Sequence, residues 1–117
     1  MEKENYYTCP IDFTISLIGD KWSMWILWSL LDGPLRFNEL KRVIPGITEK
    51  MLIQQLKKFE KNNIVSRKAY AEVPPKVEYQ LTNHGESLKT IMLLIQQWGE
   101  EHLSIQRCEG SISINTM

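Results

Sequence analysis

Side chains that act as nucleophiles or metal ligands are few in this 117-residue chain and stand far apart. Cys9 and Cys108 belong to no Cys-x-x-Cys motif and no cysteine and histidine cluster, so neither a zinc site nor a disulfide scaffold is predicted. His84 and His102 show no metal-ligand spacing and no arrangement with a nucleophile. The sequence predicts no catalytic residue, no metal, no cofactor and no enzymatic activity.

Lysines, by contrast, concentrate on the segment that follows Thr48. At about 100° per residue, a helix here has one apolar side and an opposite cationic side. The apolar side holds Leu52, Leu56 and Phe59, and the cationic side holds Lys50, Gln54, Lys57 and Lys61 with Lys58 beside them. The pattern predicts a helix that packs on the core and faces phosphates, although lysines alone are more typical of an ordinary solvated helix face.

The elements on either side of this helix favour DNA as its partner. Asn38 is a good N-cap for a short helix that ends near Val43, and Pro45-Gly46 predicts a turn before the lysine-rich helix. The later runs 65–72 and 76–81, with a proline-rich connection, predict a hairpin. This order is that of a winged helix-turn-helix, whose second helix enters the major groove.

Within that layout, the polar residues are expected to divide between bases and phosphates. A glutamine amide near the helix start can pair with adenine in a bidentate manner, whereas lysines act as point charges on phosphates. Successive strand residues face opposite ways, so only one of Arg67 and Lys68 is expected to face DNA. The residues predicted to read bases are Thr48, Glu49, Lys50 and Gln54. Those predicted to contact the DNA backbone, if they contact DNA at all, are Lys57, Lys58 and Lys61. The predicted DNA-binding set is completed by Arg36, Lys68 and Lys76.

The formal net charge of zero hides a segregation along the chain. Fourteen basic and fourteen acidic residues balance overall, which by itself argues against a nucleic-acid partner. Between residues 36 and 76, however, ten basic residues stand against four acidic ones, so the middle is +6 and the flanks sum to −6. The flanks also hold a first and a last helix with more apolar surface than one small domain covers.

Three stretches resemble the HxlR-type family of bacterial transcription regulators, winged-helix proteins akin to the MarR group. The stretches are CPIDFTISLIGDKW, LLDGPLRFNELKRVIPGITEKMLIQQLKKFE and VPPKVEYQLTNHGESL, and the resemblance spans Cys9 to about Trp98. It departs at Asn63, where the family usually has glycine, and at Trp25 and Trp28, which are more aromatic than the common pattern. We expect these tryptophans in the core, with a ligand pocket as the alternative.

The resemblance implies a homodimer that is joined through its N- and C-terminal helices and binds double-stranded operator DNA. The expected fold is mostly α with a small β-hairpin wing (α+β), a winged helix-turn-helix. The interface expected from the apolar pattern holds Ile11, Ile15, Leu88, Ile91, Met92, Ile95 and Trp98. The alternative is a winged-helix module that docks an acidic protein on its basic face.

The resemblance also implies a role for Cys9, because some members sense oxidants or electrophiles at this position. Cys9 precedes Pro10 at the predicted start of a helix, where the helix dipole favours a thiolate. An inert thiol packed in the dimer seam is the equally weighted alternative. Cys108 lies beyond the resembling stretches, and its pairing with Cys9 is conjecture.

The chain is expected to form a single domain over residues 1–107, followed by a loose C-terminal tail over 108–117. Its longest apolar runs fall far below the roughly 20 residues of a membrane-spanning helix. Its N-terminal stretch MEKENYYTCP lacks the apolar core of a secretory signal. We therefore expect a cytoplasmic protein without a membrane partner, and the sequence points to no particular small-molecule effector.

Overall fold

The computed structural model describes the backbone of residues 8–109 and the side chains of residues 8–103. The helices are α1 (Pro10–Ile18), α2 (Lys21–Leu30), α3 (Phe37–Val43), α4 (Glu49–Lys61), α5 (Asn83–Glu86) and α6 (Lys89–Glu109), and the strands are β1 (Leu35–Arg36), β2 (Val65–Tyr70) and β3 (Lys76–Leu81). Helices α1 to α5 and the sheet form one compact unit, and α6 belongs to a second. The predicted winged helix-turn-helix, mostly α with a β-hairpin wing, is confirmed.

The lysine-rich helix α4 has the predicted ends: it begins after Thr48, a residue type favoured at the N-cap, and it ends before Asn62-Asn63, where asparagine tolerates a left-handed conformation. Thr48 Oγ1 accepts a hydrogen bond from the Met51 amide at 3.1 Å, which satisfies one of the unpaired N–H groups of the first turn. Before it, Gly46 has a φ of 84° in the turn between α3 and α4. After it, Asn63 has a φ of 59°, in the left-handed region that asparagine tolerates. The asparagine therefore adopts the left-handed conformation that glycine usually provides at this position.

Two helix boundaries differ from the prediction. Asn38 is not the N-cap of α3, because the helix already includes Phe37 and the Glu39 carboxylate accepts from the Arg36 amide at 2.7 Å. Thr82 is also a plausible N-cap from which the sequence predicts one long last helix, but that helix is not continuous in the structure. Instead, Thr82 Oγ1 accepts from the Gly85 amide at 2.9 Å and caps the short helix α5. A new helix, α6, starts at Lys89.

Gly85 explains why the chain packs closely at α5. A Cβ atom at this position would collide with the carbonyl oxygen of Ile64. That oxygen also accepts a hydrogen bond from the Thr82 amide at 3.0 Å. The close approach joins α5 to the segment between α4 and β2.

The sheet has three antiparallel strands in the order β1-β3-β2. Strands β2 and β3 form the predicted hairpin, paired from Val65 with Leu81 to Tyr70 with Lys76. Strand β1 was not predicted, because two residues are too few for an alternating pattern to show. It pairs with β3 by placing Arg36 opposite Glu78.

The core of the first unit fixes the rotation of α4 about its own axis. Leu52, Leu56 and Phe59 are buried, as the spacing of apolar residues predicted. Burial of each of these side chains contributes about 1.5–3 kcal/mol. Together they outweigh any single surface ion pair, so the opposite side of α4 must face outward.

Helices α1 and α2 leave large apolar side chains exposed. Ile11 and Ile15 on α1 are 67% and 57% exposed. Trp25 and Trp28 on α2 are 44% and 37% exposed, so the expectation that they lie in the core is wrong for a single chain. None of the helices within residues 8–109 is long and apolar enough to cross a membrane.

The residues expected at a dimer interface on the last helix and just before it differ in exposure. Ile91, Ile95 and Trp98 are exposed, Leu88 is half-buried, and Met92 is only 1% exposed. Met92 is therefore too buried to contribute much area to an interface.

Helix α6 includes Cys108 and Glu109, the first two residues of the predicted tail, while residues 110–117 lie outside the described part. The prediction of one domain over 1–107 stays a prediction.

The conformation of Asn63 generates a stability test. Asn63→Val is expected to lower the free energy of unfolding by about 1–2 kcal/mol, because a β-branched side chain is strained at positive φ. Asn63→Gly is the matched control, and it should change this free energy by at most about 0.5 kcal/mol. Urea unfolding at one fixed protein concentration measures both variants. Equal losses in the two would contradict the assignment.

Candidate DNA-binding surface

The outward side of α4 is the largest basic element of the candidate site. Glu49, Lys50, Gln54, Lys57 and Lys61 are exposed there. The carboxylate of Glu49 lies in the first turn, where the helix dipole favours negative charge. The lysines and the glutamine amide are left free of the core, and they present hydrogen-bond donors to a partner.

Thr48 has a structural task that limits what it contributes to recognition. Its hydroxyl oxygen accepts from the Met51 amide, so one of its lone pairs is occupied. The hydroxyl proton remains able to donate to a base or phosphate. Thr48 therefore starts α4 and is exposed at that end of the helix.

Ile53 is a residue of this surface that the sequence analysis missed. It is 41% exposed, and its position on the helical wheel lies next to Lys57 and Lys50. An exposed isoleucine beside cationic side chains suits an apolar contact, such as one to a thymine methyl group. Its place on the wheel, away from Leu52, Leu56 and Phe59, was the available signal.

The three basic residues predicted beside the hairpin share one face of the sheet. In the strand register, Arg36 of β1 and Lys68 of β2 both lie directly opposite Glu78 of β3. Lys76 stands two positions from Glu78 on the same strand, and residues two apart in a strand share a face. Arg67 pairs with Tyr79 and lies on the other face. The sheet thus gathers Arg36, Lys68 and Lys76, and it separates Arg67 from them.

Tyr70 and Glu78 organise these basic side chains, and the sequence analysis identified neither. The ammonium groups of Lys68 and Lys76 lie 4.9 and 4.6 Å from the Tyr70 ring centroid. Lys76 Nζ is also 3.6 Å from Glu78 Oε2. The Tyr70 hydroxyl donates to Glu78 Oε1 at 3.0 Å, and this hydrogen bond raises the pKa of Tyr70 above its ordinary value. Individually weak contacts here hold two lysines in place.

Lys58 is the predicted DNA-binding residue that the structure turns away from the basic surface. It is half-buried, and its Nζ donates to Ser23 Oγ at 2.8 Å and lies 3.8 Å from Asp20 Oδ2. Burial lowers the pKa of Lys58, although the Asp20 carboxylate opposes the shift. Burial alone would raise the pKa of Asp20, but hydrogen bonds from Ser23 and the Lys58 charge hold it below its ordinary value.

Cys9 is the N-cap residue of α1 and is half-buried as a free thiol. Its carbonyl oxygen accepts from the Phe13 amide at 3.0 Å, while its side chain makes no capping hydrogen bond. The side chain of Cys108 lies outside the described residues. Among residues 8–103, no group of three or more His, Cys, Asp or Glu side chains could hold a metal ion.

Comparison with known proteins points to one family. The sequence profile described as HxlR-like helix-turn-helix matches residues 17–107. An uncharacterised regulator of this helix-turn-helix type from Bacillus subtilis, YkvN, is 47% identical over 108 residues, which cover 92% of each chain. Its description and those of the solved relatives name regulators, not enzymes.

Two solved structures share both sequence and fold with this chain. The redox regulator HypR in its oxidized form is 46% identical, with a TM-score of 0.75 over 80% of this chain and 96% of that one. The diamide-treated YodB from B. subtilis is 39% identical, with a TM-score of 0.70 over 82% of this chain and 96% of that one.

Proposed function

Because this chain belongs to the HxlR-like helix-turn-helix family of transcriptional regulators, we propose that it acts as a homodimer on a two-fold symmetric operator. The observation that carries the proposal is the exposed, cationic side of α4 opposite its buried apolar side. In a helix-turn-helix dimer the two recognition helices engage half-sites about 34 Å apart. Such a regulator acts where the chromosome lies, in the cytoplasm.

The residues of this surface divide by the chemistry they offer DNA. At the start of α4, Glu49, Lys50 and Gln54 face base edges, with the Thr48 hydroxyl at the rim. Lys57 and Lys61, farther along the helix, contact phosphates. Arg36, Lys68 and Lys76 share a sheet face and supply a second group of phosphate contacts. Ile53 adds the apolar contact that favours thymine.

Dimerisation is supported by the apolar side chains that a single copy leaves exposed to solvent. Ile11 and Ile15 on α1, and Ile95 and Trp98 on α6, are each at least half exposed. Within each helix the two side chains lie three or four positions apart, and so on one side of the helix, and exposed apolar surface of this kind marks protein contact sites. Contact between identical helices of two copies covers such side chains by a self-complementary interface.

Removal of a phosphate contact tests DNA binding. Lys57→Met is expected to weaken binding to every duplex and to reduce the slope of log affinity against log salt by about 0.9, the contribution of one neutralised phosphate. Lys89→Met, outside the basic segment 36–76, is the matched control and should leave the slope unchanged. Fluorescence anisotropy of a labelled duplex over a salt series measures both.

The outcome that would overturn the proposal is the absence of wild-type binding to duplex DNA at low salt. If the wild type instead captures an acidic protein, and capture persists after nuclease treatment, the basic surface serves protein docking.

A charge placed on α1 tests dimerisation. Ile15→Asp is expected to convert the dimer to a monomer, because pairing would bury an uncompensated carboxylate. Val73→Asp, at a side chain that is 99% exposed on the hairpin connection, is the control and should remain dimeric. Light scattering during size-exclusion chromatography gives the mass of each. A dimeric Ile15→Asp protein would contradict the role of α1.

Cys9 is the proposed site at which oxidants or electrophiles change DNA binding. It is a free thiol at the N-terminus of α1 and is only half-buried, so part of it is open to a reagent. Relatives similar to this chain include a redox regulator, HypR. Because α1 is also a proposed dimer helix, a modified Cys9 would act at the seam between the two copies.

Replacement of the thiol separates this role from that of an inert, packed cysteine. Diamide treatment is expected to reduce operator affinity of the wild type, whereas Cys9→Ser should bind equally well before and after treatment. Cys108→Ser tests whether the second thiol takes part. Equal responses of the wild type and Cys9→Ser would remove Cys9 as the sensor.

A further inference from the structure

A polar cluster joins the start of α2 to the middle of α4. Ser23 is fully buried, and its Oγ lies 2.9 Å from Asp20 Oδ2 and 2.8 Å from Gln55 Oε1. The single hydroxyl proton serves one of these acceptors at a time, while the oxygen accepts from Lys58 Nζ at 2.8 Å. Since a buried hydroxyl is costly without partners, the cluster holds α2 and α4 in one arrangement.

Lys58 extends the cluster to a third helix. Besides Ser23 Oγ, its ammonium approaches the carbonyl oxygen of Ser16 at 3.4 Å and Asp20 Oδ2 at 3.8 Å. Ser16 lies in the last turn of α1, whose carbonyl end carries the negative pole of the helix dipole. Asp20 is the N-cap of α2, where its other carboxylate oxygen accepts from the Ser23 amide at 2.8 Å. One ammonium thus meets oxygen atoms from the end of α1 and the start of α2.

We infer that Lys58 is a positioning residue, which anchors α4 to the junction of α1 and α2 and contacts no phosphate. The inference rests on the proposed DNA binding by α4. The side chain is 27% exposed, and its hydrogen bonds hold it on the inner side of the helix. Lys57, its neighbour in sequence, is exposed and has the opposite role.

The anchor sets the direction from which α4 approaches the major groove. The buried side chains Leu52, Leu56 and Phe59 fix the rotation of the helix, but apolar contacts are not directional and permit small changes of tilt. Hydrogen bonds of Lys58 to two other helices are directional. Base recognition needs a defined tilt, whereas attraction to phosphates does not. Loss of the anchor therefore lowers discrimination between sequences more than general affinity for DNA.

The experiment compares Lys58→Met with Lys57→Met on two probes. One probe is the duplex that the wild type enriches from a random pool, and the other is a shuffled duplex of the same composition. Lys58→Met is expected to weaken binding of the enriched duplex by about tenfold while binding of the shuffled duplex changes little. Lys57→Met should weaken binding of both alike, because a phosphate contact is independent of sequence.

Asp20→Asn supplies a second variant whose effect differs between the two roles. Asparagine keeps the helix cap, so the variant folds, but it removes the carboxylate near Lys58. If Lys58 is an anchor, neither duplex binds more tightly, because its hydrogen bonds to Ser23 Oγ and the Ser16 carbonyl oxygen remain and keep it on the inner side of the helix. If Lys58 contacts phosphate, the freed lysine and the lower repulsion make binding of both duplexes tighter.

The possible outcomes separate this inference from the proposed function. A uniform loss of affinity in Lys58→Met, or tighter binding of both duplexes by Asp20→Asn, overturns the anchor and leaves DNA binding intact. If the wild type enriches no duplex at all, the proposed function fails and the anchor fails with it. Circular dichroism of each variant verifies that the helices are retained.

Discussion

The burial of one side of α4 is the constraint on which the rest of the structure depends. Leu52, Leu56 and Phe59 leave water together, and at about 1.5–3 kcal/mol each they contribute more than any polar contact in the first unit. Because helical geometry ties the two sides of α4 to each other, this burial also determines which side chains face outward. The cationic surface is thus a consequence of the core, and a small part of the sequence encodes both.

Polar contacts around α4 orient side chains and helices more than they stabilise the fold. The Lys76 and Glu78 ion pair is of a kind worth about 0–1 kcal/mol, yet with Tyr70 it holds two lysines on one sheet face. The cluster of Asp20, Ser23 and Lys58 likewise fixes geometry where apolar contacts cannot, because hydrogen bonds have preferred directions. In each set an acidic side chain lies beside a lysine. The negative charge orients lysines and does not cancel the surface as a whole.

Sequence reasoning predicted correctly those features that depend on residues close to each other in the chain. The period of apolar residues located the buried side of α4, and the capping residue Thr48 and the left-handed Asn63 marked its ends. It failed where partners are distant in sequence. Lys58 looks like its exposed neighbours until Ser23, 35 residues earlier, packs beneath it. Strand β1 exists only because β3 pairs with it, and α5 packs closely because Gly85 lies against the carbonyl oxygen of Ile64, which is distant in sequence.

Segregation of charge along the chain also suits the proposed assembly. Two copies of a segment with a net charge of +6 repel each other if they meet directly. Half-sites about 34 Å apart place the two basic surfaces several Debye lengths from each other, since that length is about 8 Å at physiological salt. Their mutual repulsion is then screened, while each remains within reach of DNA. In the proposed dimer, the two copies contact each other through the acidic, apolar ends of the chain, where burial of side chains such as Ile15 and Trp98 supplies the attraction. A zero net charge is therefore compatible with DNA binding, because association and phosphate contact involve different segments.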